Sequence, residues 1–181
     1  MHDACFMLNI DLHCHSTISD GLLTPVQLIE RAASRGVTTM ALTDHDDIAG
    51  LAEARTAAEA KSITFINGVE ISVSWRGRTL HIVGLNIDPE YPPLVDGLAA
   101  IRAGRSQRAE NIAAELARIG IQGSLEGAYA HVGERRLIGR THFARFLVER
   151  GYAKDVNSVF KKYLVKGKPG YTSHGWATLS D

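Results

Sequence analysis

Residues 7–43 read MLNIDLHCHSTISDGLLTPVQLIERAASRGVTTMALT, and this stretch decides the fold class. The apolar run 7–12 predicts a buried strand. Thr24 then stands as a capping residue before Pro25, a proline at the first helical position. Leu28, Ile29, Ala32 and Ala33 recur at helical spacing, and Gly36 closes the helix. The β-rich residues 37–43 follow, which makes the segment a β-α-β unit. The rhythm repeats with a helix over 48–61, strands at 63–66 and 69–74, and Arg76-Gly77-Arg78 as a hairpin turn into a strand at 79–86. Strands alternating with helices imply a sheet wrapped by helices, an α/β fold.

Three prolines within residues 88–93 break that rhythm, because neither a helix interior nor a central strand accommodates them. A boundary belongs there. Beyond it the signals are helical: 94–119 ended by Gly120, 141–150 ended by Gly151, and 156–164. Gly167-Lys168-Pro169-Gly170 marks the way out of a helical module over 94–166, and 167–181 reads as a return segment. Residues 178–181 have the composition of a helix N-terminus.

With 181 residues, 45% of them apolar, the chain is large enough for a real core. No apolar run approaches the ~18 residues of a membrane helix, and residues 1–8 lack the cationic start of a secretory signal. Cys5 and Cys14 lack CxxC spacing and form no disulfide framework, so a reducing, cytoplasmic setting is expected. The zero net charge hides an asymmetry. Residues 1–101 carry 6 Lys and Arg against 13 Asp and Glu, whereas residues 102–181 carry 14 against 7. An acidic half suits cations and a basic half suits phosphates, which points to an anionic substrate.

The chemistry-bearing residues gather at strand ends, where α/β folds place their ligands. Asp11, His13 and His15 alternate, and a period of two points them the same way. Two imidazoles about 7 Å apart along one strand can share a metal. Asp20 lies one loop further on, and Asp44-His45-Asp46 sits where the second strand runs out. Asp46 and Asp47 serve equally well as caps for the helix starting near Ile48. Glu70 is a carboxylate on an apolar strand, costly unless it is paired or bound to a cation. His81, in TLHIVGL, reads by itself as an ordinary half-buried residue. Histidine and carboxylate ligands without thiolates favour Mn, Zn or Fe.

The motifs DLHCHSTISDG, LTDHD, GVEIS and LHIVG, in this order over residues 9–86, resemble the polymerase and histidinol phosphatase (PHP) domain family of metal-dependent phosphoesterases. The resemblance implies a distorted seven-stranded β/α barrel with up to three divalent ions, Mn2+ first and Zn2+ or Fe2+ as alternatives. It implies His13, His15, Asp20, His45, Glu70 and His81 as ligands, with Glu70 bridging two ions; Asp44, next to His45, is expected to orient a ligand from behind. The part with IGRTHFARFLVERGY and FKKYLVKGKPGY is similar to the branch containing nucleoside 3',5'-bisphosphate phosphatases and 5'-to-3' exoribonucleases acting on short RNA. There the insertion covers the metal site and helps bind the substrate's phosphate. The family's later ligands, a His in an AHP-like motif and an Asp-x-His, would fall past residue 181. The expectation is thus the N-terminal part of a PHP α/β domain over 1–93, an all-α insertion over 94–166, and a chain that belongs to a longer enzyme.

Gly139-Arg140-Thr141 places a hinge, a guanidinium and an N-capping hydroxyl before a helix, whose free N–H groups and dipole attract anions. Arg140 and Thr141 are expected at the phosphate that is not cleaved, with His142 and Lys168 as further partners. The plainer reading is a cap and a surface residue. Arg145, Arg150, Lys161 and Lys162 read as a solvated face, and His2, His131 and His174 have no constellation around them. The expected activity is hydrolysis of a nucleotide phosphate ester, on a nucleoside bisphosphate or a short RNA 5' end. A histidinol-phosphate-type phosphatase and a non-catalytic nucleic-acid or subunit-binding module are the alternatives.

Overall fold

The computed structural model describes residues 8–133, 135–173 and 176–178, with the backbone alone of Arg136. His2, Cys5, Met7, His174 and residues 179–181 therefore lie outside the described residues. The chain forms two compact units. One gathers the chain through Ile71 with Ile82–Tyr91, the other Ser72–His81 with the chain from Pro92 onward.

In the first unit, β1 (Ile10–Asp11), β2 (Thr39–Leu42) and the start of β3 (Thr64–Trp75) run parallel, with Ile10 opposite Thr39 and Thr39 opposite Thr64. Helices α1 (Pro25–Ser34) and α2 (Leu51–Ala60) make the crossovers. Thr24 caps α1 as expected: its hydroxyl accepts from the Gln27 N–H, and the Gln27 side chain accepts in return from the Thr24 N–H. Ile29, Met40, Leu42, Leu51, Ala58 and Ile63 form the core of this unit, so both helices bury their apolar faces against the same strand region. Four positions differ from the sequence reading. Strand β1 is only two residues long. Helix α2 starts at Leu51 instead of 48, with Gly50 at its cap and no side-chain capping bond, so Asp46 and Asp47 do not cap it. Strand β3 is unbroken where two strands were expected. A Cβ at Gly68 would stand 2.7 Å from Thr43 Cγ2 and 2.9 Å from the Leu42 carbonyl oxygen, so this glycine admits a close strand contact instead of making a turn.

Arg76 and Gly77, with φ of 48° and 71°, form the two-residue turn to β4 (Arg78–Leu85), the backbone a type I′ hairpin requires. In the second unit, α3 (Pro92–Arg118), α4 (Ser124–Tyr129) and α5 (Arg140–Glu149) pack with α6 (Val156–Val159) and a π-turn over Phe160–Leu164. Ile112, Leu116, Ile138, Phe143, Leu147 and Leu164 are its core. The short α4 was not anticipated. Nor was β5 (Ala177–Thr178), which pairs in parallel with Val73 and Ser74 of β3, so Thr178 is a strand residue and not a helix start. Among the described residues no helix is long and apolar enough to cross a membrane.

Glycine packing sets a test of this fold. A Cβ on Gly127 of α4 would run into the Phe146 ring of α5, whereas one on Gly97 of α3 meets nothing within 4 Å. Gly127→Ala should cost about 1–3 kcal/mol through overpacking. Gly97→Ala should stabilise by about 0.5–1 kcal/mol through helix propensity. Urea unfolding of both variants checks the opposite signs.

Candidate metal centre

Two separate stretches of chain deliver side chains to one carboxylate on a third. His13 and His15 follow β1, and the residue between them is pinned the other way. The Cys14 thiol donates to the Ala41 carbonyl at 3.0 Å, its N–H donates to Thr43 Oγ1, and its carbonyl accepts from the Thr43 N–H. Burial, with the Asp11 and Asp44 charges, pushes that thiol up to about 12, in keeping with its hydrogen bond to the Ala41 carbonyl. His45 lies past the end of β2 but rejoins β3 through an isolated parallel bridge to Glu70. There the Glu70 N–H donates to the Asp44 carbonyl and the Asp46 N–H to the Glu70 carbonyl, at 3.1 and 2.9 Å.

The result is a crowded point. Glu70 Oε2 lies 3.0 Å from His13 Nε2, 3.0 Å from His15 Nε2 and 3.4 Å from His45 Nδ1. Asp20 Oδ1 stands 3.9 Å from His15 Nδ1 and 4.0 Å from His45 Nε2. Adjacent imidazole centroids are 5.2 Å (His13–His15) and 4.6 Å (His15–His45) apart. Burial alone would lower the basicity of His15, but the hydrogen bond to Glu70 and the charges of Asp20, Glu70 and Asp44 outweigh it and hold His15 above its ordinary value. Three ring nitrogens facing one carboxylate oxygen, with a second carboxylate beside two of the rings, is a donor set of the kind that holds divalent cations. Two groups within this unit have ligand atoms lying within 4.8 Å of one another, His13-His15-Glu70 and His15-Asp20-His45.

Asp44 is not in that first ring of donors. It is 1% exposed, and its carboxylate accepts from the Ser16 N–H at 2.8 Å, the Ser16 hydroxyl at 2.7 Å and the Ser19 hydroxyl at 2.6 Å. Burial pushes Asp44 above the ordinary carboxylate range, and these hydrogen bonds and His15 pull it back. Asp11 does not share the point either: its Oδ1 accepts from the His13 N–H. Asp46 is buried with φ of 53°, and Asp47 accepts from the Ala49 N–H. His81 is on β4. It is exposed and falls in the second unit.

The second unit holds a different kind of cluster. Arg105 and Arg108 of α3 and Arg140 of α5 line a small open recess with Ile138, Gly139 and Phe143. Arg105 and Arg108 are both 8% exposed and both stack on Trp176, guanidinium carbons 5.2 and 5.1 Å from its ring centre. Burial, then the charges of Arg140 and Arg105, push Arg108 down to about 10, which still leaves it cationic at neutral pH. Its Nε is buried with no hydrogen-bond partner among the described residues. Arg140 donates to the Leu164 carbonyl and stacks on Phe160. The cap of α5 is Gly139, not Thr141; the Gly139 N–H donates to Nδ1 of His142, which is 1% exposed. Thr141 is half-buried and Lys168 exposed. The sequence reading missed Arg105 and Arg108, because cations on a long helix look like a solvated face. His131 pairs with Glu149 at the surface.

Residues 11–166 match the PHP domain family. The chain is 55% identical over 175 residues to a 3',5'-nucleoside bisphosphate phosphatase of Chromobacterium violaceum, covering 97% of this chain and 61% of that one. It is 45% identical over 181 residues to the 5'-3' exoribonuclease Rnm of Escherichia coli, covering 99% and 61%. A solved amidohydrolase structure from C. violaceum, with bound sulfate and no metal, superposes with a TM-score of 0.93 at 55% identity, covering 94% and 60%. The chain thus spans about 61% of the length of the curated relatives it matches.

Glu70 is the donor on which the imidazoles converge, so its removal tests the centre most directly. Glu70→Gln should retain the far-ultraviolet circular dichroism of the native chain while Mn2+ affinity, read by titration calorimetry, falls at least about tenfold. Unchanged affinity would show that the cluster does not hold metal through Glu70.

Proposed function

The chain belongs to the PHP domain family, and from that premise we propose that it is the metal-holding portion of a cytoplasmic phosphoesterase acting on nucleotide phosphate esters. The observation that carries the reading is the meeting of His13, His15 and His45 on the single oxygen of Glu70. Asp20 completes the donors in that unit, and we assign His81, on β4, as a further ligand. We assign Mn2+ as the preferred ion, with Zn2+ or Fe2+ compatible with the same ligands. A divalent cation held there supplies Lewis acidity toward the phosphoryl oxygen and lowers the pKa of water toward neutrality.

The protein's own residues do the rest. Glu70, buried among the rings, holds their nitrogens at one point and neutralises charge there. Asp44 anchors the loop carrying Asp20 through Ser16 and Ser19. The arginine recess of the second unit supports a substrate with more than one phosphate. Arg105, Arg108 and Arg140 put three guanidiniums around one recess, a cost that an anionic ligand offsets. We assign that recess to the phosphate that is not cleaved, with Thr141 and Lys168 as further contacts. His142 is engaged in capping α5 and is the least suited of the four expected contacts. A nucleoside 3',5'-bisphosphate and the 5' end of a short RNA both present such a phosphate, whereas a histidinol phosphate does not.

The assay is release of phosphate or nucleotide in Mn2+ from a nucleoside 3',5'-bisphosphate and from a 5'-phosphorylated short RNA, with the chelated protein inactive on both. Arg108→Ala and Arg140→Ala should each raise KM by about 10- to 100-fold, the worth of a hydrogen bond to a charged group. No hydrolysis of either substrate by the full-length protein would overturn the reading, and an unchanged KM in both of its variants would overturn the phosphate assignment.

A further inference from the structure

An aromatic ring from neither of its helices joins two of the arginines in the recess of the second unit. Arg105 and Arg108 stand three positions apart on α3, so their side chains leave the helix as neighbours. Like charges repel there, and a long guanidinium side chain gains freedom and hydration by swinging into water. Neither does. Both are buried, Arg108 Nε has no hydrogen-bond partner among the described residues, and Arg105 Nη1 reaches the start of α5, 3.4 Å from where a Cβ of Gly139 would stand. Both guanidiniums share Trp176, whose ring centre lies 5.2 and 5.1 Å from their central carbons.

The ring is fixed from another direction. Its indole N–H donates to Thr79 Oγ1 at 3.2 Å, and the Trp176 backbone N–H donates to Ser74 Oγ at 2.9 Å. Ala177 and Thr178 then continue as β5 beside Val73 and Ser74. Ser74 and Thr79 flank the Arg76-Gly77 turn, and all these residues belong to the second unit.

We propose that Trp176 is a positioning residue for the recess: its ring, held by the hairpin arms, keeps Arg105 and Arg108 side by side there in advance of any anion. This role rests on the assignment of the recess to the phosphate that is not cleaved. Guanidiniums already gathered bind an anion without the cost of ordering two long side chains, so the ring contributes affinity. A phosphate held equally before and during the reaction alters KM and leaves kcat.

Steady-state kinetics of the full-length protein on a nucleoside 3',5'-bisphosphate test the role through a double-mutant cycle. Trp176→Leu keeps apolar bulk and removes the ring; it should raise KM about tenfold with kcat changed less than about twofold, and Trp176→Phe should recover most of the loss. Added to Arg108→Ala, Trp176→Leu should raise KM by clearly less than its own factor, because part of what it positions is gone. Factors that simply multiply overturn the proposal and make the tryptophan a packing residue, and so does a native KM in Trp176→Leu. Thr79→Val removes an acceptor of the indole and should raise KM about 3- to 10-fold at native kcat. That variant decides where Trp176→Leu loses the native circular dichroism, and a native KM there is the overturning result. Native KM in both Arg108→Ala and Arg140→Ala would remove the phosphate assignment and this role with it, whereas raised KM in those two beside a native KM in Trp176→Leu removes this role alone.

Discussion

The Glu70 carboxylate is the constraint to which the first unit answers. It is 5% exposed on a strand whose neighbours Val69 and Val73 are core residues. A carboxylate withdrawn from water costs several kcal/mol unless partners replace its hydration. The partners come from residues 13, 15 and 45, and they reach it only because β1, β2 and β3 are parallel neighbours in that order. Parallel strands end on the same side of a sheet, so segments leaving β1 and β2 are brought beside the middle of the longer β3.

Backbone irregularity is concentrated at the same place. Strand β2 stops at Leu42, yet two further backbone hydrogen bonds tie residues 44 and 46 to Glu70, and Asp46 adopts a left-handed conformation in between. The detour turns His45 toward Glu70 while keeping it in register with β3. A non-glycine residue at φ of 53° is held there by its surroundings, and strain of this kind gathers where side chains must be aimed. Gly21 shows the same economy of space: a Cβ there would collide with the His15 carbonyl oxygen, so the turn that brings Asp20 back over the rings needs a residue without one.

What the sequence made legible were the features governed by local chemistry. The Thr24-Pro25 start of α1, the Arg76-Gly77 turn and the Gly120 end of α3 each follow from a backbone preference of the residues concerned. Glu70 stood out because a carboxylate on an apolar strand demands a partner. The misreadings were tertiary in origin. Asn67-Gly68 resembles a turn, but Gly68 is small because Thr43 approaches it across the sheet. Thr141 looks like a cap, but the ring of His142 takes the Gly139 N–H first. Arg105 and Arg108 have the spacing of a solvated face, and only Trp176, some 70 residues further on, its indole N–H donating to Thr79 Oγ1 and its backbone N–H to Ser74 Oγ, reveals that they are buried.

Both clusters set stability against function, in opposite signs. Around Glu70, three imidazoles must stay neutral to act as ligands, although the carboxylates beside them favour the protonated form of His15. Around Arg108, guanidiniums repel one another out of contact with bulk water, and stacking on an aromatic ring offsets only part of that cost. On the proposed reading, each cluster has its lowest free energy with a ligand of opposite charge in place, a cation in the acidic unit and an anion in the basic one. A ligand that binds the folded chain and not the unfolded one adds its binding energy to the stability of the fold. The segregation of charge along the sequence is then what a protein needs if each half is to be destabilised in a way that only one kind of ligand relieves.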